Sequence, residues 1–152
     1  MNNLTDKICT HFIKNFPEDM GFIIPHLIPP DLEQASSFLA RKSWNELLLI
    51  DPEEIPPLLN TFLTIEGNLF YMPLYMVHFC RQKDEIDIFT GFLDFIMCWS
   101  HFKDKRESLW NLLTQEQRKI FIDFCDLGIN EAKNDDYKEE FLMIMNYIKK
   151  TG

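Results

Sequence analysis

Apolar residues recur along most of this chain at the three- and four-residue spacing that places them on one face of a helix. Leu4, Ile8, Phe12 and Phe16 make the first stripe, with Lys7, Lys14 and Asn15 between them and Pro17 as the stop. Residues 17–30 hold Pro17, Pro25, Pro29 and Pro30 around Phe22-Ile23-Ile24. They predict an extended, partly buried loop, because proline has no N–H to donate and the residue before it avoids the α region. Asp31 predicts the cap of a second helix, with Gln34 in its first turn and Leu32, Ala35, Phe38 and Leu39 on one face. Ser43-Trp44-Asn45-Glu46 has the capping-box pattern and opens a short apolar helix, Leu47 to Ile50. Asp51-Pro52 ends that helix and suits the start of another turn, which Pro56-Pro57 keeps short.

Thr64 predicts the cap of a helix of about five turns, with Leu69, Met72, Pro73, Met76 and Cys80 on one stripe, widened by Phe70 and Val77. Pro73 removes one backbone hydrogen bond there and predicts a bend. Asp84-Glu85 favours a new helix N-terminus through the macrodipole. From Ile86 to Trp99 the chain is apolar on nearly every side, the mark of a central helix. A polar link, His101 to Glu107, follows. Thr114-Gln115-Glu116-Gln117 is a capping box for a helix with Ile120, Phe121, Phe124 and Leu127 on its face and Gly128 as its left-handed end. Asn134-Asp135-Asp136 opens a last helix, with Tyr137, Phe141, Ile144, Met145 and Ile148 inward and Lys149 and Lys150 at its C-terminal end. No segment alternates long enough to predict a strand. The expected fold is all-α: one domain over residues 1–152, a bundle of about six helices with a proline-rich loop after the first.

The segment Tyr71-Met72-Pro73-Leu74-Tyr75 has Trp44 and Phe62-Leu63-Thr64 before it and Leu113-Thr114-Gln115-Glu116-Gln117-Arg118 after it. In this the chain resembles, over roughly residues 40–128, an uncharacterised family of small acidic bacterial proteins, a domain of unknown function. Its marks are a Tyr-x-Pro-x-Tyr segment followed by a Leu-Thr-x-Glu-Gln helix start. The resemblance implies an all-α bacterial protein and carries no active site with it.

Composition narrows the function. The chain has 152 residues, 46% of them hydrophobic and 14% aromatic, enough for a well-filled core. Its net charge is −9, which repels nucleic-acid phosphates and anionic lipid. The acidity is concentrated: residues 51–100 carry 2 basic and 8 acidic side chains. Cys9, Cys80, Cys98 and Cys125 are widely spaced beside apolar neighbours and predict reduced, buried thiols. Met1-Asn2-Asn3-Leu4-Thr5-Asp6 has neither the basic start nor the apolar run of a secretion signal, and the longest apolar run, Leu69 to Val77, is too short to span a bilayer. These features predict a cytoplasmic protein.

Candidate chemistry is sparse. Cys98 and His101 share a helical face, but His78 and Cys80, like Cys9 and His11, point apart, so a four-ligand zinc site is not expected. No strained nucleophile turn or glycine-rich phosphate loop is present. Glu53/Glu54, Asp84/Glu85/Asp87 and Glu139/Glu140 read as dipole partners and solvating charge. Tyr71 and Tyr75, one turn apart, either flank a groove opened at Pro73 or pack inside with hydroxyls tied to the carbonyls that the proline frees. The leading expectation is therefore a non-enzymatic protein-binding module without cofactor or metal. Its concrete form is an immunity-type inhibitor masking a basic bacterial toxin, through Glu53, Glu54, Glu66, Asp84, Glu85 and Asp87 with Tyr71 and Tyr75. The alternatives are a small enzyme or ligand-binding domain with a pocket near Tyr71–Tyr75, and a secreted effector acting on a host protein.

Overall fold

The computed structural model describes residues 3–18 and 21–151. Met1, Asn2, Asp19, Met20 and Gly152 lie outside the described residues, and with them the reading of the first two residues and of part of the proline loop. The chain is all-α. Its helices are α1 (Asn3–Phe12), α2 (Pro29–Leu39), α3 (Trp44–Leu47), α4 (Leu59–Phe62), α5 (Ile65–Gln82), α6 (Thr90–Ser100), α7 (Lys103–Leu112), α8 (Gln115–Glu131) and α9 (Asp135–Thr151), with a 3₁₀ turn at Pro52–Glu54. Nine α-helices thus stand among the described residues, where the hydrophobic pattern predicts about six. Counted with the short Leu47–Ile50 stretch, the pattern marks seven segments, matching α1, α2, α3, α5, α6, α8 and α9; the two beyond them are the four-residue α4 and α7, which occupies the stretch that reads as a polar link. Each of the nine contributes side chains to one continuous buried cluster.

Helix α5 is as deeply buried as α6: 13 of its 18 residues are buried, against 8 of 11 in α6. Every residue from Phe70 to Cys80 is buried, on all sides of the helix. Thr64 caps it, its Oγ1 accepting from the Gly67 N–H at 3.1 Å, and the helix runs on through Pro73. A proline inside a helix costs about 3 kcal/mol; burial of eleven successive residues, most of them large and apolar, outweighs that. The α6 helix begins only at Thr90, leaving 84–87 as an exposed turn, and its Leu93 is exposed too.

Several boundaries move for identifiable reasons. Pro29 and Pro30 are the first two residues of α2, not loop, since proline suits positions whose N–H has no intrahelical partner; Asp31 sits inside the first turn instead of capping. Helix α1 stops at Phe12, and Phe16 packs from the loop beyond it onto Trp44 and Phe70, with ring centroids 5.4 and 5.2 Å away. The Phe22–Ile24 strip is extended, as its sequence predicts, and forms an isolated antiparallel bridge between Ile23 and Leu63. It lies so close to α5 that a Cβ on Gly67 would come within 2.8 Å of Phe22 Cβ.

The capping box at Thr114 forms in both directions: Thr114 Oγ1 accepts from the Gln117 N–H at 3.1 Å, and Gln117 Oε1 accepts from the Thr114 N–H at 3.0 Å. Gln117 Nε2 then donates to the His11 carbonyl at 2.9 Å, tying the end of α1 to the start of α8. Gly128 does not end α8. The helix continues to Glu131, and the glycine faces Phe141 of α9, whose ring carbons would lie 2.2–2.6 Å from an added Cβ. The missing side chain is what allows α8 and α9 to approach. Replacing Gly128 with Ala should therefore destabilise the fold by about 1–3 kcal/mol through overpacking, despite alanine's better helix propensity. A urea midpoint equal to or above that of the parent chain would refute this account.

Candidate functional site

The predicted acidic set does not form one surface. Glu54 pairs with Arg41 at 3.2 Å, Asp84 with Lys83 at 3.6 Å, and Lys83 with Glu131 at 3.2 Å. Glu66 lines a separate small cleft with Lys14 and Phe22. Glu85 is exposed on the turn before α6. Glu53 serves the fold, its two carboxylate oxygens accepting from the Thr90 N–H and Thr90 Oγ1, both at 3.1 Å. The anion that complements the N-terminus of α6 thus comes from the 3₁₀ turn rather than from Asp84-Glu85.

Glu53 and Asp87 nonetheless both act on Tyr137. The Tyr137 ring packs on Phe92 at 5.6 Å, half-buried at the start of α9. Burial raises its phenol above the usual range, and the carboxylates of Asp136, Asp87, Glu140 and Glu53 raise it further. Asn134 organises this corner. Its Oδ1 accepts from the Asp136 N–H at 2.8 Å, capping α9, and its Nδ2 donates to the Ile86 carbonyl at 3.2 Å, pinning the 84–87 turn alongside. That turn holds Ile86 with 70% of its surface exposed. Glu140 also meets His101 Nε2 at 3.1 Å. The result is an exposed aliphatic side chain near a half-buried tyrosine that feels the field of four carboxylates. The helical pattern does not single out Asp136, Glu140 and Tyr137 as partner residues, because it assigns them to a helix start and a core face. A helix start rich in Asp is an acidic patch as well as a dipole partner, and that is the signal in the sequence that points to them.

Tyr71 and Tyr75 do not flank a groove. Both are fully buried. Tyr71 sits among Phe22, Phe38, Trp44 and Phe70, and Tyr75 stacks on Phe95 at 4.9 Å with parallel rings. Neither hydroxyl is tied to a freed carbonyl: Tyr71 has no close hydrogen-bond partner among the described residues, and the polar group facing the Tyr75 hydroxyl is the Asn60 side chain. Burial drives both phenols up, and Asp94 and Cys98 push Tyr75 further.

His78 and Arg81 serve structure too. Burial lowers the His78 pKa, its Nε2 meets the Leu47 carbonyl at 2.9 Å, and Arg81 donates to the Leu48 carbonyl, so both hold the end of α3. The thiols are free and held protonated: burial raises Cys9 and Cys125, Cys98 to about 11 and Cys80 to about 12. Among the described residues no three His, Cys, Asp or Glu side chains gather as a metal site, and no helix is long and apolar enough to cross a membrane.

No protein-family model, curated protein or solved structure matches the chain.

These groups set the alkaline behaviour. A thiol or phenol whose folded pKa is raised holds its proton in the folded state after the unfolded chain has lost its own, so stability falls as pH climbs. The urea midpoint should be level between about pH 7 and 8 and should drop from about pH 9 towards 12, the span from unperturbed to folded values. A midpoint unchanged at pH 11 would contradict the protonated burial of Cys80, Cys98 and the two tyrosines.

Proposed function

We propose that the chain is a non-enzymatic protein-binding module whose partner is a basic protein, most concretely an immunity-type inhibitor that masks a cationic bacterial toxin. The observation that supports this best is the corner at the start of α9, where Asp87 and Asp136 are exposed beside Ile86 and, with Glu140 and Glu53, lie near enough to raise the Tyr137 phenol. Apolar anchors inside a charged rim are the usual anatomy of a protein interface, with the rim steering encounter and the anchors supplying residence time. A cationic partner would gain chiefly from the exposed Asp87 and Asp136, since Glu53 is engaged by Thr90 and Glu140 by His101. Glu54 and Asp84, already paired with cations of their own chain, would contribute less. Residence in the bacterial cytoplasm, and kinship with the small acidic proteins that the Tyr-x-Pro-x-Tyr segment suggests, belong to the same reading.

The test is capture of a stoichiometric basic partner from the native host, followed by titration of the purified pair. Affinity should fall with added salt. Asp87→Lys and Asp136→Lys should each weaken it about tenfold or more, and Ile86→Ser should mainly speed dissociation. Glu66→Lys, in a separate cleft, should change little. A partner whose affinity ignores both salt and the Asp87 and Asp136 reversals would sink this surface as the binding face.

A further inference from the structure

At its C-terminal end, α9 forms with α7 a cleft of about 410 Å³ whose chemistry is opposite in sign to the rest of the chain. Among the described residues its walls carry Lys103, Arg106 and Lys150 against one side-chain carboxylate, Glu107, together with the rings of Trp110 and Tyr147. Three cations in one cleft are unexpected on a chain with 15 basic and 24 acidic residues.

Arg106 is the second, independent observation. It is 92% buried, since only 8% of its surface is exposed. Its guanidinium carbon sits over the Tyr147 ring, 3.6 Å from the centroid, and its Nη1 donates to the Trp99 carbonyl at 3.0 Å. No carboxylate of the described residues pairs with it. A guanidinium has five N–H donors in a fork matched to carboxylate and phosphate oxygens, and burying one without a counter-ion is costly. Glu107, the carboxylate in the same cleft, lies 4.0 Å from Lys103 instead. Trp110 is held in place by Arg118, whose Nε donates to the Trp110 carbonyl at 3.1 Å while its guanidinium covers the indole at 4.9 Å. The cleft therefore pairs a fixed, incompletely partnered cation with an ordered aromatic wall.

We propose that the α7–α9 cleft binds a small organic anion, a carboxylate or phosphate on a flat apolar body. The anionic group sits at Arg106 between Lys103 and Lys150, and the apolar body lies against Trp110. The size suits such a ligand, pockets for small molecules running from about 300 to 1,000 Å³. Glu107 opposes binding and restricts how much negative charge the cleft accepts. This site is separate from the acidic corner at the other end of α9 and stands or falls independently of it.

The probe is phenyl phosphate, compared with benzoate and inorganic phosphate, titrated calorimetrically into the full chain at low ionic strength. Saturable one-to-one binding with Kd near or below about 1 mM is expected. Inorganic phosphate should bind at least about threefold more weakly, because it lacks the body that packs on the indole. Exposed positions make the test independent of folding. Glu107→Gln should tighten phenyl phosphate about threefold or more, and Lys103→Gln and Lys150→Gln should each weaken it by a similar factor. No saturable binding of phenyl phosphate or benzoate would overturn the proposal. So would affinity unmoved by the Glu107 and Lys150 substitutions, and inorganic phosphate binding as well as phenyl phosphate would overturn the aromatic half of the site.

Discussion

The contact on which most of this structure depends is the packing of Phe141 against the bare backbone of Gly128. It lets α9 settle on α8 closely enough for its phenylalanine to join Phe79, Phe92 and Phe124, one ring from each of four helices. Phe79 and Phe92 stack at 4.7 Å, while Phe124 and Phe141 meet edge to face at 5.5 Å. Such pairs contribute roughly 0.5–1.5 kcal/mol each beyond the area they bury. Because the rings come from α5, α6, α8 and α9, this cluster fixes the mutual placement of those helices. Both candidate surfaces inherit that placement. The acidic corner needs the start of α9 beside the turn before α6, and the cationic cleft needs its end beside α7.

The helices with a clean apolar stripe or a cap are legible in the sequence. Thr64, Thr114 and Asn134 each sit where a short polar side chain can satisfy a free N–H, and each does so. Where the pattern misleads, a tertiary partner has taken over a local role. Asp84-Glu85 looks like a helix start, but the carboxylate that serves Thr90 comes from Glu53, 37 residues earlier, and no local rule contains that information. Gly128 looks like a helix end because that is the commonest use of glycine after an apolar face; its use against a ring on another helix is invisible without the pairing of α8 with α9. The pattern picks out α6 as central and passes over α5, which is as deeply buried, because α5 carries Asn68, Tyr71, Tyr75 and His78, polar groups that dilute its apparent greasiness although all four are buried.

The same logic applies to the candidate sites. Choosing acidic residues by their density along the chain collects Glu54 and Asp84, whose charges are spent on Arg41 and Lys83, and Glu66, which lies elsewhere. It finds Glu53 and Asp87, which both act on Tyr137, and misses Asp136 and Glu140, which act on the same ring from α9. The cationic cleft is hidden for the opposite reason. Residues 101–152 nearly balance, with 9 basic and 10 acidic side chains, and only the fold separates those signs in space.

Net charge is consequently a poor guide to what this molecule attracts. Helix α9 has Asp135 and Asp136 in its first turn and Lys149 and Lys150 in its last, each sign at the end where the helix dipole favours it. Its 17 residues span roughly 25 Å, about three Debye lengths at physiological ionic strength. The two sites are closer than the helix is long: from Tyr137 to Tyr147 is ten residues, roughly 15 Å or about two Debye lengths, enough that the carboxylates near Tyr137 are largely screened from the cations around Arg106 and each end acts mainly by its own local charge. A protein of net charge −9 can therefore present a cationic cleft at one end of a helix while the other end repels the same anions. The two proposed sites need no compromise between them, because the length of α9 and the salt of the medium keep their fields apart.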